Sequence, residues 1–394
     1  MDFATEAAAL LPNLQDLRRA LHRNPEVGLD LPETQQRVLA ALDGLGLELT
    51  LGQRTTSIVG VLRGGRPGPT VLLRGDMDAL PIEEQTELEF ASTNGAMHAC
   101  GHDLHTAGLV GAARLLAAHR DELPGTVIFM FQPGEEGCNG ASVMIDEGVL
   151  DAAGERPVAA YGIHVGPGEF GVFATRSGTI AAGANALTVK VHGKGGHGSM
   201  PWSATDPVPA LAEIVTGLHA MTTRSVNVFD PVVLSVTRLG ASPAVNIIPS
   251  EAWLQATIRT LSRASLDLMI ERTRTVAEGI AAAHGCTAEV DFDVQYPVTV
   301  NDDAEAAWTI DTVRSALGAE RMIEVPEPGM GSEDFSFVLE KVPGAFIMLQ
   351  CSPPGTDPAT AAFNHSPTVL FDDAVLGDQA AVLATLAWER LAAR

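Results

Sequence analysis

The sequence predicts an α/β protein of two domains, in which an α/β sandwich with a largely parallel sheet is interrupted by an inserted ferredoxin-like α+β domain. Three observations predict this fold. Strand and helix patterns alternate over roughly the first 165 residues, as in α/β sandwiches. Between residues 185 and 296 the order becomes β-α-β-β-α-β, which is that of a ferredoxin-like unit. The α/β character then resumes, so we predict one domain from 1–184 with 297–394 and an insertion at 185–296.

The elements of the first domain are predicted from apolar periodicity and from the Gly and Pro residues that end each pattern. Helices are predicted at 14–21, 34–45, 106–118, 141–147, 302–317 and 372–391. Strands are predicted at 57–62, 70–74, 125–131, 158–163 and 344–349. In the insertion, strands are predicted at 186–192, 232–239, 251–260 and 287–292, with helices at 206–221 and 265–283.

The first residues of the chain, its apolar runs and its cysteine content favour a cytoplasmic protein. At 394 residues the chain exceeds the size at which a single core stops growing, so two domains are expected. Its formal charge of −24 opposes binding to nucleic acid or to an anionic membrane, so we expect neither partner. The first residues lack the order of a secretory signal, and no apolar run approaches the roughly 20 residues that span a bilayer. Four cysteines do not suggest a disulfide framework.

Segment 97–105 concentrates one thiol, three imidazoles and one carboxylate. Cys100 and His102 are spaced so that both side chains can leave one loop on the same side. Thiolate and imidazole are good ligands for zinc and similar metals, so this loop is a candidate metal site. The alternative is a buried cysteine beside solvent-facing histidines. Spacing alone does not determine which of His98, His102 and His105 would be ligands.

Two adjacent carboxylates, Glu135 and Glu136, follow a predicted buried strand and lie in a glycine-flanked turn. Adjacent side chains usually point apart, which suits a division of labour. One carboxylate can bind a metal while the other takes a proton from water. The alternative is a solvated acidic turn. His164 ends the next strand, where a capped loop histidine is the alternative to a ligand.

Other candidate residues are less distinctive. His197 lies in the glycine-rich run 193–198, which lacks the Gly-Lys-Ser/Thr ending of a phosphate loop. Asn246 and Arg259 are unremarkable by spacing, and a structural ion pair is the default interpretation of Arg259 in its apolar strand. His365 stands in a short polar stretch near the end of the chain. We expect the polar stretches around 100, 135, 164, 197 and 365 to meet around two metal ions that hydrolyse an amide.

Several other enzyme classes fit the sequence poorly. No Gly-x-Ser-x-Gly elbow precedes a predicted helix, which argues against a serine hydrolase of that type. A cysteine protease built on Cys100 would leave Glu135 and Glu136 without a role. A nucleotide-dependent oxidoreductase is disfavoured because the glycine fingerprint of a dinucleotide site is missing.

Ordered motifs over nearly the whole chain carry a family resemblance. They include LHRNPE at 21–26, RGDMDALP at 74–81, GSEDF at 331–335 and NHS at 364–366. With the cysteine-histidine loop, they make the chain resemble the M20 metallopeptidase family, specifically its amidohydrolase branch. That branch includes hippurate hydrolases, N-acyl-amino-acid amidohydrolases and plant hydrolases of auxin–amino-acid conjugates. The resemblance implies a metal-dependent exopeptidase-like α/β sandwich whose inserted domain is a lid that usually dimerises.

The resemblance also implies roles for individual residues around the metals. Cys100 would bridge two metal ions. Glu136 and His365 would complete one metal site. His102 and His164 would complete the other. Glu135 matches the general base of the family, and Asp78 matches a carboxylate that lies beside the ligands.

In the lid, His197 matches the histidine that stabilises the oxyanion, often in the active site of the partner subunit. Asn246 and Arg259 match residues that hold the carboxylate of the substrate. The implied reaction is metal-dependent hydrolysis of the amide bond of N-acyl amino acids, with two divalent ions of Zn, Mn, Co or Ni as cofactors. The implied assembly is a homodimer through the lid, or a homotetramer. The alternatives are a carboxypeptidase or dipeptidase of the same superfamily, and a metal-binding interaction module without catalysis.

Overall fold

A computed structural model describes residues 1–357 and 360–393, which form two compact units. Unit 1 comprises Met1–Ile180, Val300–Glu327 and Asp334–Arg394. Unit 2 comprises Ala181–Thr299 and Pro328–Glu333. The predicted boundaries at 184 and 297, and the lid and dimerisation role of the insertion, stay predictions.

The helices of the described residues are α1 Phe3–Arg23, α2 Pro32–Leu42, α3 His102–Ala118, α4 Gly140–Asp146, α5 Pro207–Ser225, α6 Arg263–Ala283, α7 Asp303–Leu317, α8 Ser336–Leu339 and α9 Leu376–Ala392. The strands are β1 Glu48–Leu51, β2 Ile58–Arg63, β3 Arg66–Asp76, β4 Pro124–Gln132, β5 Ala159–Gly166, β6 Phe173–Thr175, β7 Gly178–Ala181, β8 Gly183–His192, β9 Gly196–His197, β10 Val233–Gly240, β11 Ile247–Ile248, β12 Glu251–Thr260, β13 Thr287–Tyr296, β14 Thr299–Asn301, β15 Met322–Glu324 and β16 Gly344–Gln350. Within this part of the chain, no helix is both long enough and apolar enough to cross a membrane.

The main sheet of unit 1 has eight strands in the order β1-β2-β4-β3-β5-β16-β6-β15. Its four central strands, β4, β3, β5 and β16, run parallel to one another. Pairing is antiparallel from β1 to β2, from β2 to β4 and from β16 to β6. The α/β class is therefore confirmed, and the sheet is mixed, with its parallel pairs concentrated at the centre.

Both faces of this sheet are covered. Val71 and Leu73 of β3 face a core that includes residues of α1, α3 and α9. Leu72, between them, belongs to a second core with residues of α4 and α8. Successive strand residues point to opposite faces, so a strand buried on both sides consists of consecutive apolar residues. This burial fixes the central strands, and with them the loops at their ends.

Unit 2 contains the predicted order of elements, β8-α5-β10-β12-α6-β13. Its four strands form an antiparallel sheet in the order β10-β12-β8-β13. Leu187, Val189 and Val191 of β8 alternate into a core shared with residues of α5 and α6. Period-two alternation is the pattern of a sheet with one covered face.

Several bounds and short elements differ from the sequence prediction, and the differences at α1 and β1 have a clear physical reason. Helix α1 begins at Phe3 rather than at residue 14, and the Asp2 side chain accepts the Thr5 N–H at its start. The first part of this helix is rich in alanine and contains Pro12, so its apolar periodicity is weak. Strand β1 was not predicted, because all four of its residues are exposed and the strand lacks a buried face.

Candidate metal centre

The polar side chains of the candidate site stand at one edge of the unit 1 sheet. Asp76 is the last residue of β3, Glu135 follows β4, and His164 lies near the end of β5. The carboxyl ends of parallel strands meet at the same edge, which is where open α/β sheets form their sites. Cys100 lies just before α3, whose first residue is His102. Three parallel-strand ends and one helix start therefore bring these groups to one place.

Five predicted ligands form two overlapping groups. In the first group, ligand atoms of Cys100, His102 and His164 lie within 4.8 Å of one another. The distance from Cys100 Sγ to His164 Nε2 is 3.4 Å. In the second group, ligand atoms of Cys100, Glu136 and His365 lie within the same limit, and His365 Nε2 is 3.0 Å from Glu136 Oε1. Cys100 belongs to both groups, as a bridging ligand must.

Glu135 also belongs to this cluster. One of its oxygens lies within 4.8 Å of ligand atoms of His102 and Glu136. Glu135 is buried, whereas the Glu136 side chain is partly accessible to solvent. The turn is tight because Gly134 and Gly137 both adopt positive φ angles, of 73° and 77°. The structure thus places two adjacent carboxylates beside the same imidazole.

Asp78 connects this turn to the ligands. Its Oδ1 and Oδ2 atoms accept the backbone N–H groups of Glu135 and Glu136, both at 3.0 Å. Its Oδ1 atom also lies 3.4 Å from His102 Nδ1. Asp78 thus holds the backbone of the residues that carry the candidate ligands. A buried carboxylate in this position orients metal ligands and raises their affinity for a metal.

His365 reaches the cluster through an unusual backbone conformation. Its φ angle is 71°, in the left-handed region that non-glycine residues seldom adopt. Its N–H donates to the Ala99 carbonyl at 2.9 Å, so the strained residue is tied to the Cys100 segment. Such strain costs about 1–3 kcal/mol and persists at functional sites. Here it accompanies the approach of His365 to Glu136.

The geometry distinguishes the three histidines of segment 97–105. His105 Nδ1 bonds to Asp76, and its Nε2 atom accepts the Val165 N–H at 2.8 Å, so both nitrogens are engaged. Burial lowers the pKa of His105 to about 4, despite the opposing charge of Asp76. His98 is buried and belongs to none of the ligand groups of the described residues. His102 is the histidine that both lies near Cys100 and has its nitrogens available.

The donor set fits a cation. Neither nitrogen of the fully buried His102 ring makes a hydrogen bond of good geometry within the described residues, and its nearest carboxylate contacts are at 3.4 Å. A buried polar group without a hydrogen bond lowers the stability of the fold, so a bound partner such as a metal ion is expected at these nitrogens. Thiolate, imidazole and carboxylate are the donors that zinc and related ions take. The residues present therefore suit a pair of divalent metals that share Cys100.

The ionisation of these groups points the same way. Burial alone would raise the pKa of Cys100, but His164, His102 and His365 outweigh it and hold that pKa well below its usual range. Hydrogen bonds to Cys100 and Glu136 raise the pKa of His365 to about 10. The cluster therefore stabilises negative charge on the thiolate and positive charge around it. A metal cation can provide that positive charge in place of protons.

In unit 2, a two-residue ribbon brings His197 and Asn246 together. Ile247 of β11 pairs with His197 of β9, and the Gly198 N–H donates to the Asn246 carbonyl at 2.8 Å. His197 Nδ1 accepts the Ser199 N–H at 3.1 Å. In a neutral ring the proton then resides on Nε2, which makes that atom a hydrogen-bond donor.

The default interpretation of Arg259 as half of a structural ion pair is wrong. Its Nη1 atom donates to Thr257 Oγ1 at 2.8 Å and to the Ile258 carbonyl at 3.3 Å. No carboxylate pairs with it in the described part of the chain, and its hydrogen-bond acceptors there are neutral. Burial lowers the pKa of this half-buried guanidinium. Because the hydrogen-bond acceptors of the Arg259 guanidinium are neutral, its positive charge can pair with an anion from outside the chain.

The model of Peptidase family M20/M25/M40 matches residues 72–389, which include the metal cluster and all of unit 2. The chain belongs to this family. It is therefore an enzyme, a hydrolase of the M20 type. Because the matched family is a family of peptidases, the match argues against the alternative of a metal-binding interaction module without catalysis.

Relatives of this M20 hydrolase include enzymes of different substrate classes. It is 40% identical over 340 residues to thermostable carboxypeptidase 2 of Saccharolobus solfataricus, with 84% of each chain covered. It is 35% identical over 365 residues to N-acetylcysteine deacetylase of Bacillus subtilis, with 92% of this chain and 93% of the relative covered. Among solved structures, the Bacillus subtilis YXEP protein, described as a dinuclear metal binding peptidase of the M20 family, superposes with a TM-score of 0.84. That pair is 32% identical and covers 98% of this chain and 99% of the other.

Sequence reasoning missed several residues that support the site. Arg74 Nη1 lies 2.7 Å from Asp76 Oδ2, and Asp76 in turn holds His105. Arg74 and Asp76 stand in the RGDMDALP motif, but only Asp78 was singled out there. Asn364, which contacts Cys100, stood inside the quoted NHS motif without a role. The sequence did contain a signal for Arg74 and Asp76, because two charged residues, separated by one position, directly follow the apolar run at 71–73.

Proposed function

We propose that this M20 hydrolase cleaves the amide bond of N-acyl amino acids, releasing a carboxylic acid and a free amino acid. The observation that carries the proposal is the pair of ligand groups that share Cys100. Cys100, Glu136 and His365 would hold one divalent ion, and Cys100, His102 and His164 the other. When bound, such a pair lowers the pKa of a water molecule and polarises the substrate carbonyl. Zn, Mn, Co and Ni are all compatible with these ligands.

Glu135 is the proposed general base. It is buried beside His102 and Glu136, close to where the attacking water would be held. In this role its carboxylate takes the proton of the water and then delivers it to the leaving nitrogen. Because Asp78 holds the backbone of both Glu135 and Glu136, the base and the ligand keep fixed positions relative to each other.

The unit 2 residues are proposed to act on the substrate. The Nε2–H group of His197 would donate to the developing oxyanion, in its own active site or in that of a partner subunit. Losing one such donor typically costs about 10²–10³ in rate. Arg259, with Asn246, would bind the carboxylate of the amino acid, and a guanidinium can do so with two parallel hydrogen bonds.

A carboxypeptidase is the second candidate, and it is favoured by the 40% identity to the thermostable carboxypeptidase. Its peptide substrates also end in a free carboxylate, so the same Arg259 contact would serve both. The experiment that separates the two is an assay of the purified protein with N-acetyl and N-benzoyl amino acids against dipeptides. Metal content is measured in the same sample. Turnover of dipeptides alone would contradict the N-acyl proposal, and absence of bound metal would contradict both.

We also propose that a second copy of the chain binds unit 2. Strand β10 lies at an edge of its sheet, and Val233 and Leu239 on it are exposed. Phe229 is 93% exposed and Trp202 is 78% exposed. Several large apolar side chains in one small unit favour an interface, and an unpaired edge strand can pair with its own copy. The molar mass in solution, measured by light scattering on the wild-type protein and on Phe229→Asp, tests this. A monomeric wild-type protein would contradict it.

A further inference from the structure

Asn364 contacts two of the segments that carry the proposed ligands and belongs to a third. Its Nδ2 atom lies 3.1 Å from the Val165 carbonyl oxygen, next to His164 in the chain. The same nitrogen lies 3.3 Å from the Cys100 carbonyl oxygen and 3.8 Å from Cys100 Sγ. Asn364 also directly precedes His365. One amide group therefore touches the Cys100 and His164 segments from the His365 segment.

The orientation of the amide is determined by these neighbours. Two carbonyl oxygens and a sulfur surround Nδ2, and all three are acceptors. The reverse orientation would direct Oδ1 at the same three acceptors and would be repulsive. Oδ1 itself is buried and has no hydrogen-bond partner within the described residues. Since Nδ2 carries two hydrogens for three acceptors, one hydrogen is shared, and the sulfur is among its acceptors.

We infer that Asn364 is a positioning residue for the Cys100 thiolate, an inference that rests on the proposed metal-dependent function. By holding the Cys100 carbonyl, the amide fixes the backbone from which the thiolate extends. By donating to Sγ, it withdraws electron density from the sulfur that both metals would share. Residues that bond to metal ligands in this way typically change metal affinity by about 10–100-fold when replaced.

This role differs from simple filling of space, and two variants distinguish the possibilities. Asn364→Ala removes the amide and leaves a small cavity. Asn364→Asp keeps the size of the side chain but replaces the donor by an oxygen directed at the thiolate and at two carbonyl groups. If only packing matters, Asn364→Asp should resemble the wild type. If the donor matters, Asn364→Asp should be at least as impaired as Asn364→Ala.

The experiment is a titration of the metal-free full-length protein with Cd²⁺, followed by the ultraviolet absorption of the thiolate-to-metal charge transfer. The matched control is Thr368→Ala, an exposed residue of the same loop whose side chain bonds to Ser366 rather than to Cys100. We expect both Asn364 variants to bind Cd²⁺ about 10–100-fold more weakly, with a shifted charge-transfer band, while Thr368→Ala matches the wild type. Thermal unfolding of the metal-free variants verifies that they fold.

Folded Asn364 variants with the Cd²⁺ affinity and the band of the wild type would overturn the inference. A wild-type protein that binds Cd²⁺ without a thiolate band would overturn it as well, together with the proposed site. If the wild type shows the band but hydrolyses no N-acyl amino acid, only the proposed reaction fails. The Cd²⁺ readout then still decides the role of Asn364.

Discussion

Asp78 Oδ1 lies 3.4 Å from His102 Nδ1, and the same carboxylate accepts two successive backbone N–H groups from the Glu135–Glu136 turn. One buried side chain thus fixes a ligand of the first group and a ligand of the second. Because the residues that Asp78 orients belong to the candidate metal cluster, its replacement should affect metal affinity more than the stability of the fold.

Replacing Asp78 by Asn is therefore expected to weaken metal binding. The amide nitrogen of Asn would face one of the two backbone N–H groups, so one hydrogen bond is lost and the turn shifts. We expect the metal dissociation constant to rise about 10–100-fold in a titration with Zn²⁺. Asp121→Asn, at an exposed carboxylate, is the control. Unchanged affinity in Asp78→Asn would show that the turn holds its position without this carboxylate.

Replacing Glu135 by Gln should separate metal binding from turnover. The amide retains the size of the side chain but cannot accept a proton from water. We expect kcat to fall by about 10²–10⁴-fold, the usual contribution of a general base, while the metal content stays the same. Metal analysis and steady-state kinetics measure the two effects. Glu122→Gln, on the exposed surface, serves as the control, and retained activity in Glu135→Gln would remove Glu135 as the base.

Arg74 is predicted to stabilise the fold of the metal-free protein. Its Nη2 atom lies 3.0 Å from Asp334 Oδ1, and its Nε–H donates to Gln132 at 2.9 Å, all of them buried. Arg74→Met would remove the guanidinium that pairs with the buried Asp76 and Asp334 carboxylates. We expect the free energy of unfolding of the metal-free protein to fall by about 3–5 kcal/mol in urea.

The matched control is Arg63→Met, which removes an exposed ion pair with Glu48 and should change the unfolding free energy little. Equal effects of the two variants would mean that the buried network does not stabilise this end of the sheet.

Removing metal should lower the melting temperature of the wild-type protein. A ligand that binds only the folded state at 100 times its dissociation constant adds about 2.7 kcal/mol of stability. Cys100→Ser removes the ligand common to both groups, so a chelator should shift its melting temperature less. Cys286→Ser, in the core of unit 2, is the control that should keep the full response. A chelator-insensitive wild type would argue against metal bound at this cluster.

Replacing Arg259 by Lys tests the substrate carboxylate contact. A lysine keeps the charge but loses the two-pronged geometry, and a hydrogen bond to a charged group contributes about 1.5–3 kcal/mol. We expect kcat/KM for an N-acyl amino acid to fall about 10–100-fold, mostly through KM. For the same substrate with its carboxylate amidated, the variant and the wild type should be equal. A similar loss on both substrates would indicate a structural role instead.

The sequence was most informative where each element has a strong pattern of its own. The buried central strands and the β-α-β-β-α-β order of unit 2 could be predicted because apolar periodicity is a local property. Strand β1 could not, since its exposed residues carry no periodic signal. The predicted ligands came from clusters of reactive side chains and from family resemblance, and the structure brings those of unit 1 together.

The supporting residues could not be predicted in the same way. Nothing in spacing indicates that Arg74 pairs with Asp334, which lies 260 positions away. His105 seemed equivalent to His102 in the sequence. The structure distinguishes them because the Val165 N–H and Asp76 engage both nitrogens of His105. Such relations depend on which strands are neighbours, and a single sequence does not contain that information.

The order of the chain has a consequence for synthesis. His164 lies in β5, whereas its neighbouring strand β16 and His365 come only after the whole of the 181–299 segment of unit 2. During translation, Cys100, His102 and Glu136 therefore leave the ribosome long before the residues that complete their surroundings. The proposed two-cation centre would therefore be complete only when nearly all of the polypeptide has emerged. Under the proposed function, metal loading would consequently be a late event in biogenesis, and a chain that terminates within unit 2 would lack His365 and a complete centre.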